Sequence, residues 1–437
     1  MKTFKRGGVH PPENKITADV QIENLSTPGV VTVLLSQHLG KPARPIVEKG
    51  DVVKKGQLIA EADGYISANI HATTSGTIKS VGERVPAPNG MYAAAIVIEA
   101  DGREEWAEGL NCDVDPDSLS RDEKLKRIQD AGIVGMGGAG FPAHVKLNPP
   151  KDKTVDTFIL NGAECEPFLT PDYRLMLERP SEVLKGLEIA ASLFQKDISI
   201  YIGIEANKPD AISIMRNYSR GRFFTVVPLK TKYPQGCEKQ LINTITGRTM
   251  LEGQLPFDVG CLVHNVATIY AIYEAVAKNK PLVERVLTVS GMQIRNRKNL
   301  SVTIGTKMED VINYCGGIVG DINQLIVGGP MMGRAQYSFD VPVTKTTSGI
   351  LFVENDKLET LRERACIRCG KCIVACPQGR EPWLMANLAQ NQHFDELPSY
   401  GLNDCMECGS CTYVCPSKRD IVHWIKYGKA MAAHQKR

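Results

Sequence analysis

Two stretches near the C-terminus carry the residues best suited to chemistry: Cys366-Ile-Arg-Cys369-Gly-Lys-Cys372-Ile-Val-Ala-Cys376-Pro377 and Cys405-Met-Glu-Cys408-Gly-Ser-Cys411-Thr-Tyr-Val-Cys415-Pro416. Each is a full C-x2-C-x2-C-x3-C-P run. Three thiolates two residues apart wrap three corners of one iron–sulfur cubane, and the fourth, held away by the proline turn, reaches the other cubane. The expected ligand sets are Cys366, Cys369, Cys372 and Cys415 for one [4Fe–4S] cluster, and Cys405, Cys408, Cys411 and Cys376 for the second. Structural zinc usually takes two separated C-x2-C pairs in one tetrahedral site, so a repeated run ending in proline fits it poorly. The chain has 13 cysteines. The remaining five, Cys112, Cys165, Cys237, Cys261 and Cys315, show no ligand spacing and read as buried, inert thiols.

A second group of residues lies upstream. Gly135-Met-Gly137-Gly138-Ala-Gly140-Phe141-Pro142 satisfies G-x-G-x-x-G, a weak signal alone. Asn161-Gly-Ala-Glu164-Cys-Glu166-Pro167 follows the strand-like Thr157–Leu160, which puts its acids where ligands collect in open α/β sheets. Tyr233-Pro-Gln-Gly236-Cys-Glu238-Lys239 enters a helix and Val263-His-Asn265-Val-Ala-Thr268 opens another. Helix starts with glycine nearby expose backbone N–H groups suited to phosphate. His10 and His71 lack a second donor at metal spacing and read as loop or core histidines.

The elements that must position these residues follow from the apolar pattern. Residues 1–100 alternate short β-branched runs with Gly and Pro, including the paired units Pro45–Gln57 and Ile70–Val81. This segment resembles the barrel-sandwich fold of biotinyl and lipoyl carriers, with Tyr65 where a carrier would need lysine; a docking or scaffold role is the better expectation. An acidic linker is expected over 100–122. Over 123–285 the pattern is βαβ, with helices expected at Pro180–Phe194 and Ala211–Arg220 and strands at Asp197–Ile204 and Phe223–Val227. Residues 286–335 suggest a small β-grasp unit, followed by a linker near 336–355. The cysteine-rich unit spans 356–437, with a helix expected at Glu381–Phe394 and a basic helix from Lys418, suited to a membrane surface, a partner helix or packing on the cluster unit.

The 437 residues are 43% apolar and carry a formal net charge of +3. That near-balance argues against nucleic-acid binding by bulk electrostatics. No run approaches the length of a membrane helix, and no apolar segment follows the charged Met1–Gly8, so no secretion signal is expected.

The order of the blocks resembles the flavin- and NADH-binding subunit of respiratory complex I. A nearer, almost end-to-end similarity is to the C subunits of Rnf complexes, ferredoxin:NAD+ oxidoreductases. It rests on Phe4-Lys-Arg-Gly-Gly-Val-His-Pro-Pro-Glu-Asn-Lys, on Gly132–Leu147 and on the paired cysteine runs. The resemblance implies a multidomain α+β and α/β chain: a barrel-sandwich domain, a Rossmann-like flavin/NAD domain, an SLBB-like β-grasp domain and a helical ferredoxin-like domain. It implies FMN held by Gly135, Gly137, Gly138, Gly140 and Lys146, with Asn161, Glu164, Gly236, Asn265 and Thr268 completing the site. Phe141, Glu166 and Glu238 would face NAD(H), the phenylalanine by stacking and the acids through ribose hydroxyls. Two departures from complex I are Met136, in place of a loop arginine, and Cys237, in place of the first of two glutamates. The implied partners are membrane and peripheral subunits of one complex, and ferredoxin through that complex. The implied location is the cytoplasmic face of the cell membrane. Alternatives are the related cobalamin reductase of microcompartments, whose flavin block lies nearer the N-terminus, and a non-catalytic relay adaptor.

Overall fold

A computed structural model of the chain describes residues 1–194, 198–322, 324–353 and 363–435. Asp197 and residues 356–362 of the expected cysteine-rich unit lie outside them.

The central unit is a parallel four-stranded sheet. Thr157–Gly162 lies between Ser199–Glu205 and Cys261–Asn265, and Phe224–Leu229 pairs on the outer side of Ser199–Glu205. Alternate burial of Ile200, Ile202 and Ile204 drives the second strand into the core. The helices Pro180–Ala191 and Val266–Ala277 cover the sheet, and they meet at backbone contact. A Cβ at Gly186 would stand 2.1 Å from the carbonyl oxygen of Ile269, so no larger residue fits there. Pro180 opens its helix at the position where a missing N–H costs nothing. The expected helix at 211–220 forms over Pro209–Tyr218. Strand order reverses between Thr157–Gly162 and Cys261–Asn265, and their C-terminal ends form the crevice where such sheets bind ligands.

Two antiparallel sheets make the barrel-sandwich unit. One contains Val30–Leu34, Val52–Val53, Gly76–Pro86 and Tyr92–Ala100, and the other Arg44–Pro45, Leu58–Glu61 and Ile70–His71. Val31, Val33, Ile59, Ile78, Ile96 and Ile98 fill the space between them. Tyr65 is exposed on the turn before Ile70.

Within the expected 1–100 unit, Ile22–Asn24 pairs outside the barrel-sandwich sheets, adding in parallel to Lys298–Thr303 at the edge of a six-stranded sheet. Residues 336–355 are not a linker throughout, because Gly349–Val353 is a buried strand between Glu284–Gly291 and Gln324–Val327 in that sheet. The helix Met308–Tyr314 covers the sheet through Met308, Val311 and Ile312.

In the C-terminal unit, Pro382–Gln390 packs against Ile421–Gln435, with Gly428 close to Ala389. The basic helix therefore spends its apolar face, Ile421 and Ile425, on the cluster unit itself. Among the described residues, no helix is long and apolar enough to cross a membrane.

Three units meet behind the glycine loop. The Leu39 N–H donates to Gly140, and the Lys345 ammonium donates to the carbonyls of Asn69 and Gly132, both at 2.7 Å. Burial, with Lys345 nearby, lowers His38 to about 4 and His71 to about 3. The folded chain thus binds fewer protons than the unfolded one between about pH 4 and the ordinary imidazole value of about 6.5, and stability falls as pH drops through that window. Lowering the pH from about 7 to 5 should cost about 2 kcal/mol per histidine. Urea unfolding at the two pH values measures this, and a His38→Gln/His71→Gln chain should lose most of the difference.

Candidate electron-transfer site

The four upstream blocks converge at the reversal point of the parallel sheet. Asn161 and Asn265 are direct partners in the pairing of their strands. Asn265 caps the following helix, its side-chain oxygen accepting the N–H groups of Ala267 at 2.9 Å and Thr268 at 3.3 Å, an arrangement typically worth about 1 kcal/mol. The Asn161 amide donates to the Gly236 carbonyl at 2.7 Å, which joins the second block to the third. The glycine loop closes on itself, Gly135 N–H to the Phe141 carbonyl at 2.8 Å, and is fixed from below where the Met136 N–H donates to the Thr268 hydroxyl at 2.8 Å.

The glycines serve this geometry. A Cβ on Gly137 would press to 3.2 Å from Asn265, whereas Gly138, at φ +123°, has open space above it. Gly137, Gly138 and Ala139 are exposed, so the loop offers bare backbone to a ligand. Lys146 lies half-buried beside it and pairs with Glu238 at 2.5 Å. These contacts gather the glycine loop, Asn161, Gly236, Asn265 and the Lys146–Glu238 pair into one cradle at the strand ends. Thr268 is fully buried and spends its hydroxyl on the loop.

The acids divide. Glu164, at φ +45°, accepts the Asp172 N–H at 2.7 Å and leaves its second carboxylate oxygen buried without a partner. Burial pushes its carboxyl up to about 7, against the pull of Lys15 at 3.8 Å. Asp172, bonded to the Asn265 amide, also keeps one buried oxygen unpaired. Orphaned buried acceptors are costly, and here they border the cradle. Glu166 points elsewhere. Its carboxylate accepts the Met331 N–H at 3.0 Å and lies 3.4 Å from the Tyr233 hydroxyl, and burial raises it to about 7. Phe141 is half-buried at the end of the loop.

Tyr233 also leads to the cysteines. Its hydroxyl donates to the Cys408 carbonyl at 2.7 Å, and Val9, Tyr233, Ala375 and Cys408 share one small core. Lys239 reaches Asp404 at 3.0 Å, and the Gly8 N–H donates to Ala375 at 2.9 Å. One cavity is lined by Cys376, Cys405, Cys408 and Cys411, and a second by Cys366, Cys369, Cys372 and Cys415. Each gathers three thiols of one run and the last of the other, the division the spacing predicts. The first set is inner, against Tyr233; the second is outer, with Cys366 and Cys369 exposed.

Several functional neighbours were not singled out by the sequence. Lys15 donates to the carbonyls of Glu164, Glu166 and Leu169 at 2.8, 2.9 and 2.6 Å, although about 150 residues separate it from them. Asp172 carried no motif. Cys165 and Cys237 lie beside the same segments: the Gly236 N–H approaches the Cys165 sulfur at 3.3 Å, and burial pushes the Cys237 thiol up to about 12, as expected of an inert thiol. Both lie inside quoted blocks, the one signal that marked them. Cys112 is exposed, not buried. Met136 fills the core with its side chain, and its carbonyl accepts from the buried Arg285 at 3.1 Å.

Known proteins share this arrangement. Residues 128–274 match the Nuo51 FMN-binding domain, 2–103 the RnfC barrel sandwich hybrid domain, 286–335 the SLBB domain and 360–421 the 4Fe-4S dicluster domain. The C subunit of the proton-translocating ferredoxin:NAD(+) oxidoreductase complex of Clostridium ljungdahlii is 50% identical over 432 residues, covering 98% of this chain and 94% of that one. The chain belongs to the RnfC family. The C subunit of the Na(+)-translocating complex of Acetobacterium woodii is 42% identical, over 100% of this chain and 98% of that one. In fold, the chain is similar to an NAD+-reducing [NiFe]-hydrogenase structure, with a TM-score of 0.51 at 17% identity, covering 73% of this chain and 66% of that one. The family's fold order, barrel-sandwich, FMN-binding, SLBB and dicluster, is the one expected from the sequence, and with it come FMN and two [4Fe–4S] clusters as cofactors.

The crossover of ligands is directly testable. Cys376→Ser should remove the cluster of the 405–411 run, and Cys415→Ser that of the 366–372 run, each lowering iron from about eight to about four per chain. Iron analysis with EPR of the reduced variants checks it; loss of the cluster belonging to the mutated cysteine's own run would show that the sets do not cross.

Proposed function

We propose that the chain is the peripheral electron-transfer subunit of an ion-translocating ferredoxin:NAD+ oxidoreductase, seated on the cytoplasmic face of the membrane and joining NAD(H) to membrane-embedded partners. The observation that carries this reading is the junction at Tyr233, which ties the inner cysteine set to the segment that closes the nucleotide cradle.

FMN, when bound, supplies the exchange between the two-electron chemistry of a hydride and the one-electron chemistry of the clusters. The chain's own residues bind and orient. Gly137–Ala139 allow close backbone approach, Lys146 brings positive charge, and Asn161 and Asn265 fix the loop segments against the strand ends. Glu164 and Asp172, whose carboxyls burial raises, each keep one buried oxygen free of hydrogen bonds that can accept a ligand N–H or O–H group. Glu238 lies within reach of the same cradle. Glu166, turned toward Met331 and Tyr233, acts as a strut between units, and Phe141 closes the loop. Ion movement falls to the partners in this reading.

The barrel-sandwich unit ahead of the flavin block favours this assignment over the cobalamin reductase. An adaptor without flavin chemistry is excluded or upheld by one experiment. The purified chain, reconstituted with iron, sulfide and FMN, should show NADH-dependent bleaching of its flavin and reduction of ferricyanide. Gly138→Ala places a side chain at a φ that L-residues avoid, costing about 1–2 kcal/mol, and should lower flavin content and both activities together while iron stays at about eight per chain. Intact clusters with neither flavin nor diaphorase activity in the unsubstituted chain would overturn the proposal.

A further inference from the structure

The two cysteine runs fold alike, so a difference between them at a sulfur is informative. Gly370 and Gly409 hold matched positions at φ +74° and +76°, and the residues that follow, Lys371 and Ser410, each open a short helix. Lys371 is exposed, whereas Ser410 is fully buried. The Ser410 hydroxyl lies 3.4 Å from the Cys408 sulfur, its one hydrogen-bond partner among the described residues. Each set also has a sulfur that accepts a backbone N–H at 3.4 Å, Cys366 from Arg368 and Cys376 from Arg380. The side-chain hydroxyl is what sets the inner run apart. Among the described residues, no hydroxyl bonds to the sulfur of Cys366, Cys369, Cys372 or Cys415.

Iron takes thiolates, so a cluster in the inner cavity removes the Cys408 proton and leaves that sulfur an acceptor alone. The Ser410 hydroxyl, buried with no other partner, is then satisfied by donating to it. We propose that Ser410 is a positioning residue that acts through Cys408, donating to the cluster-bound thiolate and raising the reduction potential of the inner cluster. One-electron reduction adds negative charge, which burial disfavours. The inner cavity is lined by the buried Cys408, Cys411, Met385 and Ile425, whereas Cys366 and Cys369 of the outer set are exposed. Burial alone would set the inner cluster below the outer one and make the step between them uphill. A donor on a ligating sulfur stabilises the added charge and offsets that difference. Cys408 is also the residue whose carbonyl Tyr233 holds, so the tuned ligand sits at the junction with the nucleotide segment. The cluster gains one electron, no bond forms or breaks, and the hydroxyl proton stays on its oxygen.

The test uses the full chain loaded with iron and sulfide, titrated with dithionite while EPR follows the reduced clusters. The Cys411→Ser chain, which lacks the inner signal, assigns the spectra. Ser410→Ala, which fits any space that serine fits, should lower the reduction equilibrium constant of the inner cluster about tenfold, about 59 mV for one electron. Iron should stay at about eight per chain, and the outer potential should not move. Ser410→Thr, which keeps the hydroxyl, should restore the wild-type potential. One exchangeable proton coupled to the reduced inner cluster, seen by ENDOR in H2O and lost in D2O, should be missing from Ser410→Ala. An inner potential in Ser410→Ala equal to wild type, or an equal fall in Ser410→Thr, overturns the proposal. Loss of the inner iron in Ser410→Ala overturns it as well, since Ser410 would then be a structural element. The proposal rests on the electron-transfer reading for the presence of the inner cluster, and the titration involves neither NADH nor FMN. Absence of that cluster from the unsubstituted chain would overturn both, whereas an unmoved potential overturns this proposal alone.

Discussion

The hydrogen bond from the Tyr233 hydroxyl to the Cys408 carbonyl stands for the constraint on which the architecture turns: two cofactor sites from distant parts of the chain must be held within electron-transfer reach. Tyr233 belongs to the segment that also holds Gly236 and Glu238, which we propose help bind the nucleotide, and Cys408 lines the inner cavity with Cys376, Cys405 and Cys411. Around that bond the small core of Val9, Ala375 and Cys408 excludes water, and Lys239 and Gln240 add polar contacts to Asp404 and Pro377. Two units built on unrelated patterns are thereby fixed as one electron path.

The N-terminal segment is the second part of that fixture. It runs past the cradle, where Lys15 gathers three carbonyls, and then enters the six-stranded sheet through Ile22–Asn24. Burial lowers the Lys15 ammonium to about 8, a cost offset by the carbonyls and by Glu164. Glu164, Asp172, Arg285 and Lys15 thus form a dehydrated polar network beneath the loop. Such networks hold a unique geometry when their members are paired. One carboxylate oxygen each of Glu164 and Asp172 is left without a hydrogen bond, that of Glu164 facing the Lys15 ammonium at 3.8 Å.

The sequence was most legible where chemistry is local. Cysteine spacing leads one to expect eight thiols in two crossed sets, because such a run wraps a cubane, and the eight line two cavities in that division. Asn265 and the glycine loop were visible for the same reason, since a cap and a tight turn are set within a few residues. The strand-like pattern located Thr157–Leu160, within the observed Thr157–Gly162. What escaped was non-local. Nothing near Ile22 reveals that it pairs with Asn299, and the Thr- and Gly-rich approach to Gly349–Val353 hides a central strand whose partners lie far away in sequence. The direction of Glu166 escaped too, because its partner Met331 belongs to a different domain.

The account's central claim is that the inner cysteine set lies on the electron route between the outer set and the nucleotide cradle. Time-resolved absorption after photoreduction of the outer cluster, by a dye tethered at an Ile367→Cys side chain, tests it most directly. The account predicts that electrons reach the flavin in the intact chain, and that Cys411→Ser, which removes the inner cluster, abolishes that arrival while NADH still bleaches the flavin. Flavin reduction from the outer cluster at an undiminished rate in Cys411→Ser would contradict it.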